Sequence, residues 1–279
     1  MTPDYIIIGA MKCGTSTLAA QLGAQAGIFM TSPKEPNFFS DDAVYARGLD
    51  WYANLFAAAG PDDIKGEAST HYTKLPDHPQ TVARLASATG GRPLKLIYLI
   101  RNPLERAMSH YIHEWTQGVI RSDFATALRE HPALVRYGCY GEQAAPWVAQ
   151  FGLENLLVLS LEQIKHTPQQ VFNQVGAFLG RDNLIWQEDL KQVNVSAERV
   201  RRVPFQGLLI DNTPARWVRR SLVPQALRDR VKASRRLRER PEFPETARQR
   251  LETVFAADYA VLRDLVGNRH DLDLSYPFL

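Results

Sequence analysis

One run of eight residues, Gly9-Ala10-Met11-Lys12-Cys13-Gly14-Thr15-Ser16, places a lysine between two glycines and ends in two hydroxyls. It follows the apolar stretch Tyr5-Ile6-Ile7-Ile8 and precedes Leu18, Ala19 and Leu22, which recur at helical spacing. A glycine loop between a strand and a helix offers an anion its backbone N–H groups and the positive end of the helix dipole. In the nucleoside-triphosphate loop GxxxxGK[ST] a lysine follows the second glycine; here Thr15 holds that place and Lys12 lies inside the loop. A phosphate-bearing ligand other than a triphosphate is therefore expected. Arg101, closing the apolar run Leu94 to Ile100, and Ser109, eight residues on, form a second feature, with Arg106 between them. A P-loop kinase needs an aspartate after such a strand to hold Mg²⁺. A guanidinium there binds a phosphate through its paired donors instead. Were the two strands neighbours, both anion sites would share one sheet edge. Cys13, at a helix N-terminus, has the setting of a nucleophile, but no acid-base pair lies near it in sequence, and a small loop filler explains it better.

These residues need a scaffold. Tyr5 to Ile8 lacks alternation, as expected of a parallel strand buried on both faces. Leu94 to Ile100 and Leu156 to Leu161 read as two more strands, and Gly27 to Met30 and Ile64 to Glu67 as weaker ones. Asn102 and Pro103 suit the cap and first position of a helix. Pro168 to Leu179 reads as a helix stopped by Gly180. Strands alternating with helices predict an α/β fold: a P-loop-like parallel sheet with helices on both faces, ligands at its carboxyl edge, and a helical, basic C-terminal extension. A single domain over residues 1–279 is expected, with a core to about 185 and an extension from about 190 that is helical again over Pro244 to Val266.

The chain has 279 residues, 45% hydrophobic and 23% charged, which excludes disorder and fibrous repeats. The net charge is +3, yet residues 199–240 carry +10 and the remainder −7. That asymmetry suits an anionic partner or a solvated arginine-rich face. The apolar runs are too short for a signal sequence or a span, so no membrane segment is expected. Two distant cysteines argue against a secreted disulfide scaffold, and no His/Cys spacing suggests a metal.

Two phosphate sites on one sheet suit a nucleotide phosphorylated at two positions, such as 3′-phosphoadenosine 5′-phosphosulfate (PAPS). With Lys12-Cys13-Gly14-Thr15-Ser16-Thr17 and Arg101 to Ser109, the chain resembles the PAPS-dependent sulfotransferases, particularly the heparan sulfate branch. The resemblance covers about residues 5 to 180 and includes Lys34-Glu35-Pro36-Asn37-Phe38-Phe39, which looks like the segment carrying the catalytic glutamate of heparan-type enzymes. It implies that Lys12 through Thr17 hold the 5′-phosphosulfate and that Arg101 and Ser109 hold the 3′-phosphate, with no metal. The family's C-terminal glycine-and-lysine loop has no evident counterpart among Arg199, Arg201 and Arg202.

Sulfonyl transfer needs a base for the acceptor hydroxyl and a cation for the departing phosphate. Glu35 is the expected base, with Phe38 and Phe39 to dry its surroundings, and Lys12 the expected cation. His71 is the rival base, because cytosolic sulfotransferases use a histidine and imidazole suits neutral pH. The expectation is a cytoplasmic, nucleotide-binding enzyme moving a sulfonyl group from PAPS to a hydroxyl, or secondarily an amine, of a carbohydrate or small-molecule acceptor, with no nucleic-acid partner. The alternatives are a P-loop kinase of a small molecule and a non-catalytic polyanion-binding protein.

Overall fold

The structure, a computed structural model, describes residues 3–190, 240–267 and 270–279. Five parallel strands form one sheet in the order β2-β3-β1-β4-β5: β1 (Tyr5–Gly9), β2 (Ile28–Met30), β3 (Ile64–Ala68), β4 (Lys95–Ile100) and β5 (Leu156–Ser160). Each expected strand is present. β1 runs down the middle, and Tyr5, Ile6, Ile7 and Ile8 are fully buried, as an unalternating apolar strand must be. It pairs with β3 on one side (Ile6 with Glu67) and β4 on the other (Ile6 with Leu96). The neighbour relation that would join the two anion features therefore holds.

The helix α1 (Thr15–Gly23) leads from β1 outward to β2, whereas α4 (Thr81–Thr89) carries the chain from β3 across to β4. Right-handed crossovers running in opposite directions put these helices on opposite faces. The crevice at the switch lies over the tip of β1. The short helices α2 (Asp42–Tyr45) and α3 (Leu49–Asn54) come before β3. After β4 come α5 (Pro103–Gln117), α6 (Phe124–Glu130), α7 (Ala133–Arg136) and α8 (Tyr140–Phe151).

The expected caps are in place. Asn102 accepts from the N–H groups of Leu104 and Glu105 at 3.0 and 3.2 Å, and left-handed Gly180 ends the helix Pro168–Leu179. β5 stops one residue short of the expected Leu161, since the Ser160 hydroxyl accepts from Gln163 N at 3.3 Å and opens α9 (Leu161–His166). The C-terminal helix Glu245–Val266 packs mainly on α8, with Phe255 and Leu262 fully buried. The basic stretch expected to form the extension, Arg199 through Glu239, lies outside the described residues, as do Arg201 and Arg202. No helix among the described residues is long and apolar enough to cross a membrane.

Candidate active site at the carboxyl edge of the sheet

The loop after β1 is built around backbone that few residues adopt. Gly9 cannot carry a side chain, because a Cβ there would stand 1.9 Å from the Thr73 hydroxyl, which donates to Ile8 O at 3.1 Å. Lys12 and Gly14 have φ of 71° and 91°, a left-handed course that closes the loop on itself, with Cys13 N donating to Ala10 O at 3.2 Å. No side chain caps α1 at Gly14. Thr17 N donates to Gly14 O at 3.0 Å, so among the first donors of the helix those of Thr15 and Ser16, beside the half-buried Ser16 and Thr17 side chains, are the ones an anion could engage. Cys13 points the other way. Its thiol is fully buried 3.5 Å from the Tyr140 hydroxyl, and burial pushes it up to about 11. It is a loop filler and not a thiolate nucleophile.

Arg101 joins the second feature to this loop. Its Nη1 donates to Lys12 O at 3.2 Å, while its Nε is buried without a partner. A buried donor with nothing to bind is costly, and the anion expected here would satisfy it. The Tyr140 hydroxyl fixes the arginine's backbone, donating to Arg101 O at 2.9 Å. Behind it, Glu162 accepts from Asn102 N at 3.0 Å. Ser109 lies on α5, half-buried, six residues beyond Pro103 and so about 9 Å along the helix. Arg106 does not join them. It is fully buried and donates to Leu134 O.

Glu35 occupies the third corner, beside β3. Its φ of 62° is unusual for a residue with a side chain and costs about 1–2 kcal/mol. The neighbours hold it there. Glu35 N donates to Ala68 O at 2.9 Å, and Oε2 accepts from Thr70 N at 2.7 Å and the Thr70 hydroxyl at 3.1 Å. Oε1 pairs with Lys34, and the side chain is 31% exposed. Phe38 and Phe39 pack against Tyr52 at 4.7 and 4.9 Å between ring centroids, so they anchor the segment in the core.

His71, in the 3-10 turn Thr70–Thr73, stacks on His78 at 5.0 Å. Burial, then Lys74 and His78, pull it down to about 4, so its ring is neutral at pH 7. Sequence reasoning missed Glu67, Lys74, Tyr140 and Glu162. Glu67 is fully buried, and burial pushes it up to about 8 against the pull of the Tyr72 and Tyr52 hydroxyls. Neither of its oxygens completes a hydrogen bond of good geometry. β3 reads Ile-Lys-Gly-Glu-Ala, with a second charge at Lys65, so its sequence alone does not single out Glu67. Nothing local marks the others. Among the described residues no cluster of three or more side chains could hold a metal.

Comparison with known proteins places the chain among sulfotransferases. The chain is 28% identical over 192 residues to heparan sulfate glucosamine 3-O-sulfotransferase 3B1 of Mus musculus, covering 66% of this chain and 47% of that protein. It is 23% identical over 280 residues to the bifunctional heparan sulfate N-deacetylase/N-sulfotransferase 1 of Caenorhabditis elegans, covering 93% and 29%. The chain thus spans about half or less of the length of these relatives. In fold it matches a sulfotransferase from Alicyclobacillus acidocaldarius, with a TM-score of 0.68 and 23% identity over 96% of this chain and 97% of that one. A mouse sulfotransferase complexed with PAP matches with a TM-score of 0.51 and 18% identity over 94% and 87%. The model of the sulfotransferase domain matches residues 2–208, and on that match the chain belongs to the sulfotransferase domain family.

Proposed function

We propose that the protein transfers a sulfonyl group from PAPS to a hydroxyl of a carbohydrate acceptor and releases 3′-phosphoadenosine 5′-phosphate (PAP). The observation that carries this reading is the contact of Arg101 Nη1 with Lys12 O at 3.2 Å, which sets two anion-binding features side by side on adjacent strands. One gripped phosphate would need only the loop. Two suit an adenosine phosphorylated at both ends. The heparan sulfate relatives support a carbohydrate over other acceptors. Two free thiols, Cys13 and Cys139, suit a reducing compartment such as the cytoplasm.

The residues divide the work by position. The N–H groups at the start of α1, with Lys12, hold the 5′-phosphate and stabilise the negative charge it gains as its bond to sulfur breaks. Arg101 and Ser109 hold the 3′-phosphate and fix the direction of that bond. Glu35 accepts the acceptor proton as the new sulfur–oxygen bond forms in line with the one that breaks. Its two Thr70 hydrogen bonds engage Oε2, and Oε1 faces Lys34. His71 is the lesser candidate, since a base of pKa about 4 holds a proton weakly at pH 7.

The test compares thermal shifts with PAP and with ATP plus Mg²⁺. At 100 times its Kd, PAP adds about 2.7 kcal/mol to the folded state. A shift with ATP and magnesium but none with PAP returns the kinase. Glu35→Gln then separates an enzyme from a polyanion binder: the rate from PAPS falls about 10²–10⁴-fold while PAP affinity holds.

A further inference from the structure

Lys74 follows the turn Thr70–Thr73 at the same sheet edge, and its side chain is only 9% exposed. A buried ammonium is costly unless an anion pairs with it. Lys74 has no such partner: among the described residues its side chain makes no hydrogen bond or ion pair. Its one contact of note is the Tyr137 ring, 5.6 Å from Nζ, near the outer limit of a cation–π interaction. The carboxylates that face it are already engaged. Glu35 exerts the strongest attraction on it but is bound to Lys34 and Thr70. Glu114, on α5, faces His110 at 3.6 Å, and Asp77 accepts from the Tyr137 hydroxyl. The other groups around it repel a cation or are neutral. Arg106 is charged and buried, and burial first, Lys74 second, pull both His71 and His78 down. Burial also brings Lys74 down to about 8, which leaves it mostly cationic at pH 7.

Resting on the reading of Glu35 as the base, we propose that Lys74 is an acceptor-side anion site, which takes a carboxylate or sulfate on the sugar whose hydroxyl lies at Glu35. No residue of the phosphate-binding features serves this purpose, and Lys74 lies outside the motifs that carry the family resemblance. The ion pair forms where water is largely excluded, so an acidic acceptor is selected over a neutral one of the same shape.

The experiment is calorimetry on the protein saturated with PAP. The two probes are a tetrasaccharide of alternating glucuronate and N-acetylglucosamine, and the same tetrasaccharide with its carboxylates reduced to alcohols. The acidic form is expected to bind at least about tenfold more tightly. Lys74→Met should erase that difference, Lys74→Arg should keep it, and PAP affinity should stay the same in both. Because Lys74→Met removes an unpaired charge carried on a largely buried side chain, its melting temperature should match or exceed that of the wild type. The proposal is overturned if the wild type binds the two sugars equally or binds neither, if the difference survives Lys74→Met, or if that variant fails to fold. Failure of the wild type to bind PAP would instead overturn the sulfotransferase reading.

Discussion

Glu67 shows how a single buried side chain links the segment around Glu35 to the pH behaviour of the protein. It lies in β3 beside Ala68, whose carbonyl accepts from Glu35 N, and Tyr52 and Tyr72 close over it. Folding raises its pKa from an ordinary 4.5 to about 8, with desolvation as the main cause and the charge on Glu35 adding to it. Between those values the folded state holds a proton that the unfolded chain has lost. Stability from this group is therefore full below about 4.5 and declines as pH rises through about 8, by on the order of a few kcal/mol. Urea unfolding at pH 6 and pH 9 should show a larger loss for the wild type than for Glu67→Gln, which has no proton to lose. Equal losses would mean that Glu67 is already ionised in the fold. The left-handed backbone at Glu35 belongs to the same logic, since four contacts, from Ala68, Lys34 and Thr70, hold a conformation that its side chain disfavours.

Arg101 acts through the pairing of β1 with β4, so its effect is set by two elements together. Arg101→Ala should weaken PAP binding about tenfold to a hundredfold, the scale of charge-assisted hydrogen bonds to a phosphate. Adenosine 5′-phosphate, which lacks the second phosphate, should lose much less. Equal losses in calorimetry would mean that the arginine serves the loop through Lys12 O and does not read a 3′-phosphate. The elements themselves were legible. β1 and β4 are unalternating apolar runs, and Asn102-Pro103 and Gly180 mark helix ends by local chemistry. The strand-loop-helix junction around Lys12 and the place of Arg101 at the end of β4 could be read because each is set by a few adjacent residues. Arg101 and Arg106 could not be told apart in the same way, because burial of the second depends on Leu134 and His110, about thirty and four residues on. Lys74 and Tyr140 were silent for the same reason: their partners lie on other elements, and nothing periodic in the sequence marks them. The segment around Glu35 is irregular backbone, visible only as a short motif.

At the scale of the whole molecule, Glu162 ties the end of the chain to the junction of β4 and α5 beside Arg101. Its Oε2 accepts from the Ser275 hydroxyl at 2.8 Å and the Ser160 hydroxyl at 3.2 Å, and its Oε1 accepts from Asn102 N at 3.0 Å. Asn102 is both the cap of α5 and the residue after Arg101, so the C-terminal tail, β5 and the start of α5 meet at one carboxylate. Asp258, in the C-terminal helix, makes a similar clamp on α8, accepting from Gly141 N and Glu142 N at 2.9 Å each. Glu162→Ala leaves Asn102 N and one hydroxyl without an acceptor, since the Ser160 and Ser275 hydroxyls can still bond each other at 2.9 Å, at a cost of about 1–3 kcal/mol. For a chain of this size that lowers the melting temperature by roughly 2–4 °C per kcal/mol. It also loosens the seat of Arg101, so PAP affinity at 25 °C, where the variant is still folded, should fall several-fold. Glu162→Gln keeps an acceptor oxygen and should fall between the two. A lower melting temperature with unchanged PAP affinity would separate the tail from the site, leaving Tyr140 as the support that holds Arg101 in place.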